Sequence, residues 1–316
     1  MVAGVAGRAA MMPFRREWGT GPPVIAMHPL GLESSAFEGV GQALARHGLR
    51  TIAVDLPGFG RTPAPGGPLT PAALAAPIVA LARSLDQRPV VLGISLGGRI
   101  ALEAALTAPD AFRAVVPIAP YLPWRRFRPL LELMRFVDPR LAAALPLEWV
   151  WPVLSWLAQT VETIPALRDD AVARSGARLV YYLSCPATRA AFLSAGRELA
   201  LDPATGPDGF WPRLAGLAVP AAFVWCEQDQ LVSLAFARTV ARTRPDVAQL
   251  LLPCAGHWLN GPHHRCLADA LGGIVTGLLA GRLPGTPAPH PGGAAFVARA
   301  CVVDARVDAP AVLVRA

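Results

Sequence analysis

Val90-Val91-Leu92-Gly93-Ile94-Ser95-Leu96-Gly97-Gly98-Arg99-Ile100-Ala101-Leu102-Glu103-Ala104-Ala105-Leu106 is the stretch on which the reading of this chain turns. It opens on a short apolar run, the pattern of a strand buried on both faces. It closes on residues that read as a helix. Between the two stands G-x-S-x-G, with Gly93 and Gly97 two places either side of Ser95. A strand that turns at once into a helix brings its backbone close to neighbouring strands, so neither flanking position has room for bulk. The serine stands at the apex, over a helix N-terminus that favours negative charge developing nearby. Strand, sharp turn and helix in that order are the setting of a serine nucleophile.

Such a serine needs a base, and the base needs a group to orient it. Downstream, Ala221 to Trp225 reads as a strand after Pro220 and runs into Cys226-Glu227-Gln228-Asp229-Gln230-Leu231-Val232. Val247 to Leu252 reads as another and runs into Pro253-Cys254-Ala255-Gly256-His257-Trp258. Asp229 and His257 are 28 residues apart, one strand-and-helix unit, which places both on loops at the sheet edge that carries Ser95. His263 and His264 compete with His257, but they follow Pro262 at the start of a helix, where surface or capping roles suit them. Glu227 competes with Asp229 for the role of acid.

Together these residues resemble the α/β-hydrolase family over about Pro22 to Leu279. Asp55-Leu56-Pro57-Gly58-Phe59-Gly60-Arg61-Thr62 is similar to that family's D-x-P-G-x-G-x-S turn after its fourth strand. His28-Pro29-Leu30-Gly31 is similar to its H-G-x-x-G oxyanion loop, with proline in place of the first glycine. Proline has no N–H, but the donor comes from the following residue, which is Leu30. The Leu231-Val232 pair fits the family's acid loop in register with Asp229. The resemblance implies an α/β fold: a mostly parallel sheet with helices on both faces and a helical cap inserted after the sixth strand. It implies Ser95 as nucleophile, His257 as base, Asp229 as its orienting acid, and the N–H groups of Leu30 and Leu96 as oxyanion hole. His28, Trp124 and Trp258 are the candidate substrate-binding residues, His28 being read first as a scaffold of the oxyanion loop. No metal and no organic cofactor is required. Serine at the elbow argues against the dehalogenase and epoxide-hydrolase branches, whose intermediates need a carboxylate nucleophile.

The organisation along the chain agrees. Residues 13–18 and 23–27 read as strands, Ser34 to His47 as a helix, Thr51 to Val54 as a strand, Ala72 to Ser84 as a helix despite Pro77, and Ala114 to Ile118 as a strand. Strands alternating with helices imply a parallel sheet with ligands beyond the strands' carboxyl ends. The alternation stops between 121 and 214, so the core divides into 1–120 and 215–280 around a helical cap. The cap holds Trp124, Trp149, Trp151, Trp156 and Trp211, five of the eight tryptophans. Two readings stand side by side: the rings build the cap's own core, or some line an apolar tunnel or dock on lipid. Residues 281–316 begin with prolines and glycines and read as a disordered tail.

Composition narrows the function classes. The 316 residues carry a net charge of +7, all of it from arginine on the basic side, with no lysine. The arginines are scattered apart from Arg125-Arg126-Phe127-Arg128, and no aromatic-basic recognition motif appears, which argues against nucleic acid as a partner. Five cysteines without C-x-x-C or metal spacing suit a reducing cytoplasm. Residues 1–12 make a poor signal peptide, and no apolar run is long enough to span a bilayer, which leaves room for transient lipid contact only. The expected partner is a small apolar ester or acyl substrate; oligomeric state stays open. So do three activities: ester hydrolysis, a related reaction on the same residues (carbon–carbon cleavage, thioester hydrolysis, acyl transfer), and a non-catalytic binding role.

Overall fold

The computed structural model describes residues 12–124, 132–144, 153, 156, 183–252, 257, 264–282, 296–299 and 313–315. Five strands come first: β1 Arg15–Trp18, β2 Pro23–Met27, β3 Arg50–Val54, β4 Val90–Ile94 and β5 Ala114–Ile118. Interleaved are α1 Glu38–Arg46, α2 Pro71–Arg83 and α3 Leu96–Thr107. The insertion contributes α4 Pro139–Ala143, α5 Pro186–Leu201 and α6 Phe210–Ala215. Then follow β6 Ala222–Cys226, α7 Ala235–Thr243, β7 Ala248–Leu252, α8 His264–Leu279, β8 Phe296–Arg299 and β9 Leu313–Arg315.

The strands form one sheet in the order β1-β3-β2-β4-β5-β6-β7-β8-β9. Only β1 against β3 and β8 against β9 are antiparallel. The runs 23–27, 90–94 and 114–118 are buried at every position, as expected of parallel strands covered on both faces. Alternation survives in what each side chain packs on. Val24, Ala26, Val90 and Leu92 face α1 and α8 through Leu44, Leu271 and Val275. Ile25, Met27, Ile52 and Val91 face the opposite layer, which holds Leu74, Ile78 and Phe236. Burial of these side chains stabilises at roughly 25 cal/mol per Å² of apolar surface removed from water.

Helix boundaries have local causes. The Thr70 hydroxyl accepts the Ala73 N–H at 3.1 Å and caps α2, and Pro71 sits where its missing N–H costs nothing. Pro77 lies inside α2 without ending it. The helix expected from Ser34 begins instead as a 3₁₀ turn, Ser34–Phe37, before α1.

The insertion leaves the sheet after β5, the sixth strand in the count that puts the Asp55 turn, here after β3, behind the fourth. One expectation is corrected here. The tail read as disordered carries β8 and β9, with β8 parallel to β7 through Gln249 to Leu251. The physical reason is the free edge of β7, a row of backbone donors and acceptors that accepts any extended, valine-rich segment. The expected readings at Arg125–Arg128, Trp149, Trp151, Trp258 and His263 lie outside the described residues.

A buried ion cluster joins the insertion to the core. The Arg99 guanidinium, on α3, donates to Asp202 just past α5 (Nε, 2.7 Å; Nη2, 3.2 Å) and to Glu103 (Nη1, 2.8 Å). Glu103 also accepts from Arg213 on α6 at 2.7 and 3.2 Å. Burial pushes the Glu103 carboxyl up, but Arg99 and Arg213 outweigh this and hold it below its ordinary 4.5. A carboxyl held low in the fold stabilises the native state above its unfolded value, and that stabilisation is lost as pH falls through the folded value. The melting temperature is therefore expected to decline on acidification below 4.5. Glu103→Gln should lower stability at neutral pH and flatten that acid limb; an unchanged limb would exclude Glu103 as its source.

Candidate active site

Ser95 follows β4 and stands as the N-cap of α3 with φ 57° and ψ −113°. Positive φ in a non-glycine residue stores about 1–3 kcal/mol of strain and persists only where the surroundings impose it. Here the imposition is visible. The Ser95 N–H donates to the Ile118 carbonyl at 2.9 Å, and the Ser95 carbonyl accepts from Tyr121 N–H (3.2 Å) and Arg99 N–H (3.1 Å). The end of β5 thus holds the turn from one side. From the other, a side chain at Gly97 would collide with the Met27 and His28 carbonyls, and one at Gly93 with the Gly97 backbone.

Three strand ends bring the candidate residues together. Asp229 lies three residues past β6, its Oδ1 accepting the N–H groups of Leu231 and Val232, both at 2.8 Å. That leaves Oδ2 aimed at His257, whose Nδ1 lies 2.8 Å away. A carboxylate can only accept, so Nδ1 carries the proton and Nε2 is the acceptor for the Ser95 hydroxyl, 3.0 Å distant. Ser95 and His257 are both buried, at 1% and 6% exposure. Glu227 stays exposed at the mouth of the loop. Burial, with the Asp229 carboxylate nearby, pushes the Cys226 thiol up to about 12, so this neighbouring sulfur carries no thiolate. Among the described residues no three of His, Cys, Asp and Glu group as a metal site.

The His28 loop is held by buried side chains. The His28 ring is fully buried, its Nε2 accepting the Leu56 N–H at 2.9 Å and its Nδ1–H donating to the Pro29 carbonyl at 2.8 Å. Burial lowers its pKa and keeps the ring neutral, as this pair of bonds requires. Both nitrogens are spent on the backbone, so His28 braces this loop. The Pro29 carbonyl also accepts the Leu32 N–H at 3.2 Å. A trans peptide is planar, its C=O and N–H pointing opposite ways, so anchoring that carbonyl fixes the direction of the Leu30 N–H. Asp55 braces the loop further, accepting Ser34 N–H (2.7 Å) and Arg61 N–H (2.8 Å).

Over these loops lies α5. A side chain at Gly196 would strike Met134, with Leu30 at 3.9 Å, and one at Gly58 would strike Ala191. Leu69 N–H donates to Ser194 at 3.2 Å. Trp124 is half-buried, packed edge-on against Trp211 at 5.8 Å, so it belongs to an aromatic stack in the cap. Trp258 lies outside the described residues. Sequence reasoning missed Tyr121, whose ring stands 6.0 Å from that of His257; its place three residues past β5, on the same sheet edge, was the available signal. A cavity of about 520 Å³ opens between the 64–69 loop and the cap, but Ser95 does not line it, and its wall mixes Leu69 and Phe136 with Arg135, Asp138 and Arg197.

Comparison with known proteins then decides the family: the profile described as "alpha/beta hydrolase fold" matches residues 22–263. The chain belongs to the α/β-hydrolase family. It is 30% identical over 250 residues to a 2-(acetamidomethylene)succinate hydrolase from Mesorhizobium japonicum (strain LMG 29417 / CECT 9101 / MAFF 303099), covering 78% of this chain and 84% of that one. It is 27% identical over 251 residues to a pimeloyl-[acyl-carrier protein] methyl ester esterase from Edwardsiella ictaluri, covering 78% and 90%. A crystal structure of E-2-(acetamidomethylene)succinate hydrolase superposes with a TM-score of 0.60 at 24% identity, over 83% of this chain and 94% of that one. No helix among the described residues is long and apolar enough to cross a membrane.

The close approach at Gly97 makes a sharp prediction. Gly97→Ala is expected to lower stability by about 1–3 kcal/mol, the usual cost of overpacking. Gly66→Ala, where an added Cβ meets open space, should stay within about 0.5 kcal/mol. Urea midpoints of the two variants check this, and equal midpoints would refute it.

Proposed function

We propose that this protein is a serine hydrolase that cleaves an apolar carboxylic ester through an acyl-enzyme. The observation that carries the proposal is the continuous relay from Asp229 Oδ2 through His257 to Ser95 Oγ, at 2.8 and 3.0 Å. As the Ser95 oxygen attacks the ester carbonyl, His257 Nε2 takes the hydroxyl proton and later gives it to the departing alcohol. Asp229 holds the Nδ1–H tautomer and stabilises the imidazolium that forms. The Leu96 N–H at the start of α3 and the Leu30 N–H would hold the oxyanion, each donor contributing about 2.7–4 kcal/mol at the transition state. Water then repeats the sequence on the acyl-enzyme.

A second reading has its own support. The Mesorhizobium relative, similar over most of both chains, is named for a small dicarboxylate substrate, and the described cap wall mixes charge with apolar surface. Carbon–carbon cleavage, thioester hydrolysis and acyl transfer could use the same relay. A p-nitrophenyl ester series separates the readings. Each methylene buried adds up to about 0.8 kcal/mol, so turnover should rise from acetyl to hexanoyl if the acyl site is apolar. A flat or falling series favours a small polar acid.

A fluorophosphonate probe should label the wild type and leave Ser95→Ala unlabelled; labelling of the variant would move the nucleophile elsewhere. Ser95→Ala and His257→Ala should each cost about 10⁶-fold in kcat, with the double variant no worse, because the residues act as a unit. Asp229→Asn should cost about 10⁴-fold through the wrong tautomer. A larger loss in Glu227→Gln would place the acid two residues earlier.

A further inference from the structure

Arg99 lies one helical turn past Ser95, its backbone bonded to the Ser95 carbonyl and its side chain 1% exposed. Its guanidinium serves two carboxylates from different parts of the chain, Glu103 on its own helix and Asp202 at the C-terminal end of α5. The same face of α6 that presents Arg213 closes the knot: the Phe210 ring lies 4.7 Å from the Arg99 guanidinium. Phe210 packs on Trp211 at 5.2 Å, and the Trp211 indole N–H donates to the Pro123 carbonyl at 2.9 Å. Pro123 is where the chain leaves the core for the cap, and Asp202 to Arg213 is where it returns. The returning root of the cap therefore meets a side chain of the nucleophile's helix directly, and the departing root is tied to it through Trp211 and Phe210.

We propose that Arg99 and Asp202 are positioning residues that mount the cap on the helix of Ser95 and thereby set the acyl-length selectivity of the site. The proposal rests on the reading of Ser95 as the nucleophile of an ester hydrolase. Its physical basis is leverage. Gly196 and Ala191, which sit over Leu30 and Gly58, are on the same rigid helix as the anchor. At 1.5 Å per residue Gly196 is only about 9 Å from Asp202, so a slip at the anchor reaches the roof of the site nearly undiminished. Two arginines balance two carboxylates in the knot. Removing the Asp202 charge leaves a buried arginine short of a partner, and an arginine cannot escape by losing its proton. It must move toward water, and the end of α5 moves with it.

The test is Asp202→Asn, which keeps the shape and removes the charge, assayed on p-nitrophenyl acetate and hexanoate together with amide hydrogen exchange. The acetate reaction, which needs little of the roof, should keep its kcat and KM. The hexanoate reaction should lose about 10²-fold in kcat/KM, the scale of an ångström's misplacement, mainly through KM. Exchange should quicken over 186–201 while 96–107 stays protected. Asp202→Glu should recover part of the loss. Arg213→Gln, which removes only the half-exposed outer arm, should shift the ester ratio the same way by less, and it carries the comparison if Asp202→Asn does not fold. Equal losses on both esters, or an unchanged ester ratio with only a lower melting temperature, would overturn the proposal. If the wild type turns over neither ester and takes no fluorophosphonate, the Ser95 reading fails instead; the exchange pattern of Asp202→Asn then decides the anchoring alone.

Discussion

The N-terminal turn of α3 lies so near the carboxyl end of β2 that Gly97 has no room for a Cβ against the Met27 and His28 carbonyls. Most of the site depends on this approach. It sets the distance between the strand that delivers Ser95 and the loop that begins at His28. It requires the chain to reverse within one residue, and that reversal is the positive φ of Ser95. The strain stays because β5 holds the turn by hydrogen bonds on both its N–H and its carbonyl. A serine on a relaxed turn would sit lower and would not reach His257.

Around that fixed point the remaining groups are positioned by saturating their other bonds. Asp229 Oδ1 is taken by two backbone donors, so Oδ2 is left for His257. His28 has both ring nitrogens engaged, and the Pro29 carbonyl it holds determines the Pro29–Leu30 peptide plane. Proline at 29, where the family motif has glycine, fits this arrangement, since the loop uses the carbonyl of residue 29 and the N–H of residue 30. Preorganised donors and acceptors of this kind need little rearrangement when charge develops.

The sequence made the fold and the relay legible because both are written locally. The apolar runs at 23–27, 90–94 and 114–118 mark doubly buried strands, and Ser95, Asp229 and His257 each follow a strand within a few residues. What escaped is what depends on distant partners. His28 read as a scaffold of its loop, but what it braces did not show, because the Leu56 N–H is 28 positions away and invisible as a backbone group. Arg99 stood in a stretch read only as helix, for the carboxylate of Asp202 lies 103 positions downstream. β8 and β9 were hidden because their segments are too short to show a period and gain order only from the edge of β7. Ser34 to Phe37 read as α-helix because amphipathic spacing does not distinguish a 3₁₀ turn.

The use of arginine in the buried knot follows from geometry. Nε and Nη2 meet the two oxygens of Asp202, while Nη1 reaches Glu103. A planar fork can make all three bonds at once, whereas an ammonium group presents its donors from a single point. Burial alone would disfavour the charge on Arg99, yet the two carboxylates more than offset it. Apolar side chains of the same volume could fill this space at equal or lower free-energy cost, so stability by itself does not account for the ions. Apolar surfaces, however, slide over one another with little directional penalty. A fork bonded at three points holds α5 in one register over Leu30, and register is what a cap must keep if its inner wall is to measure an acyl chain.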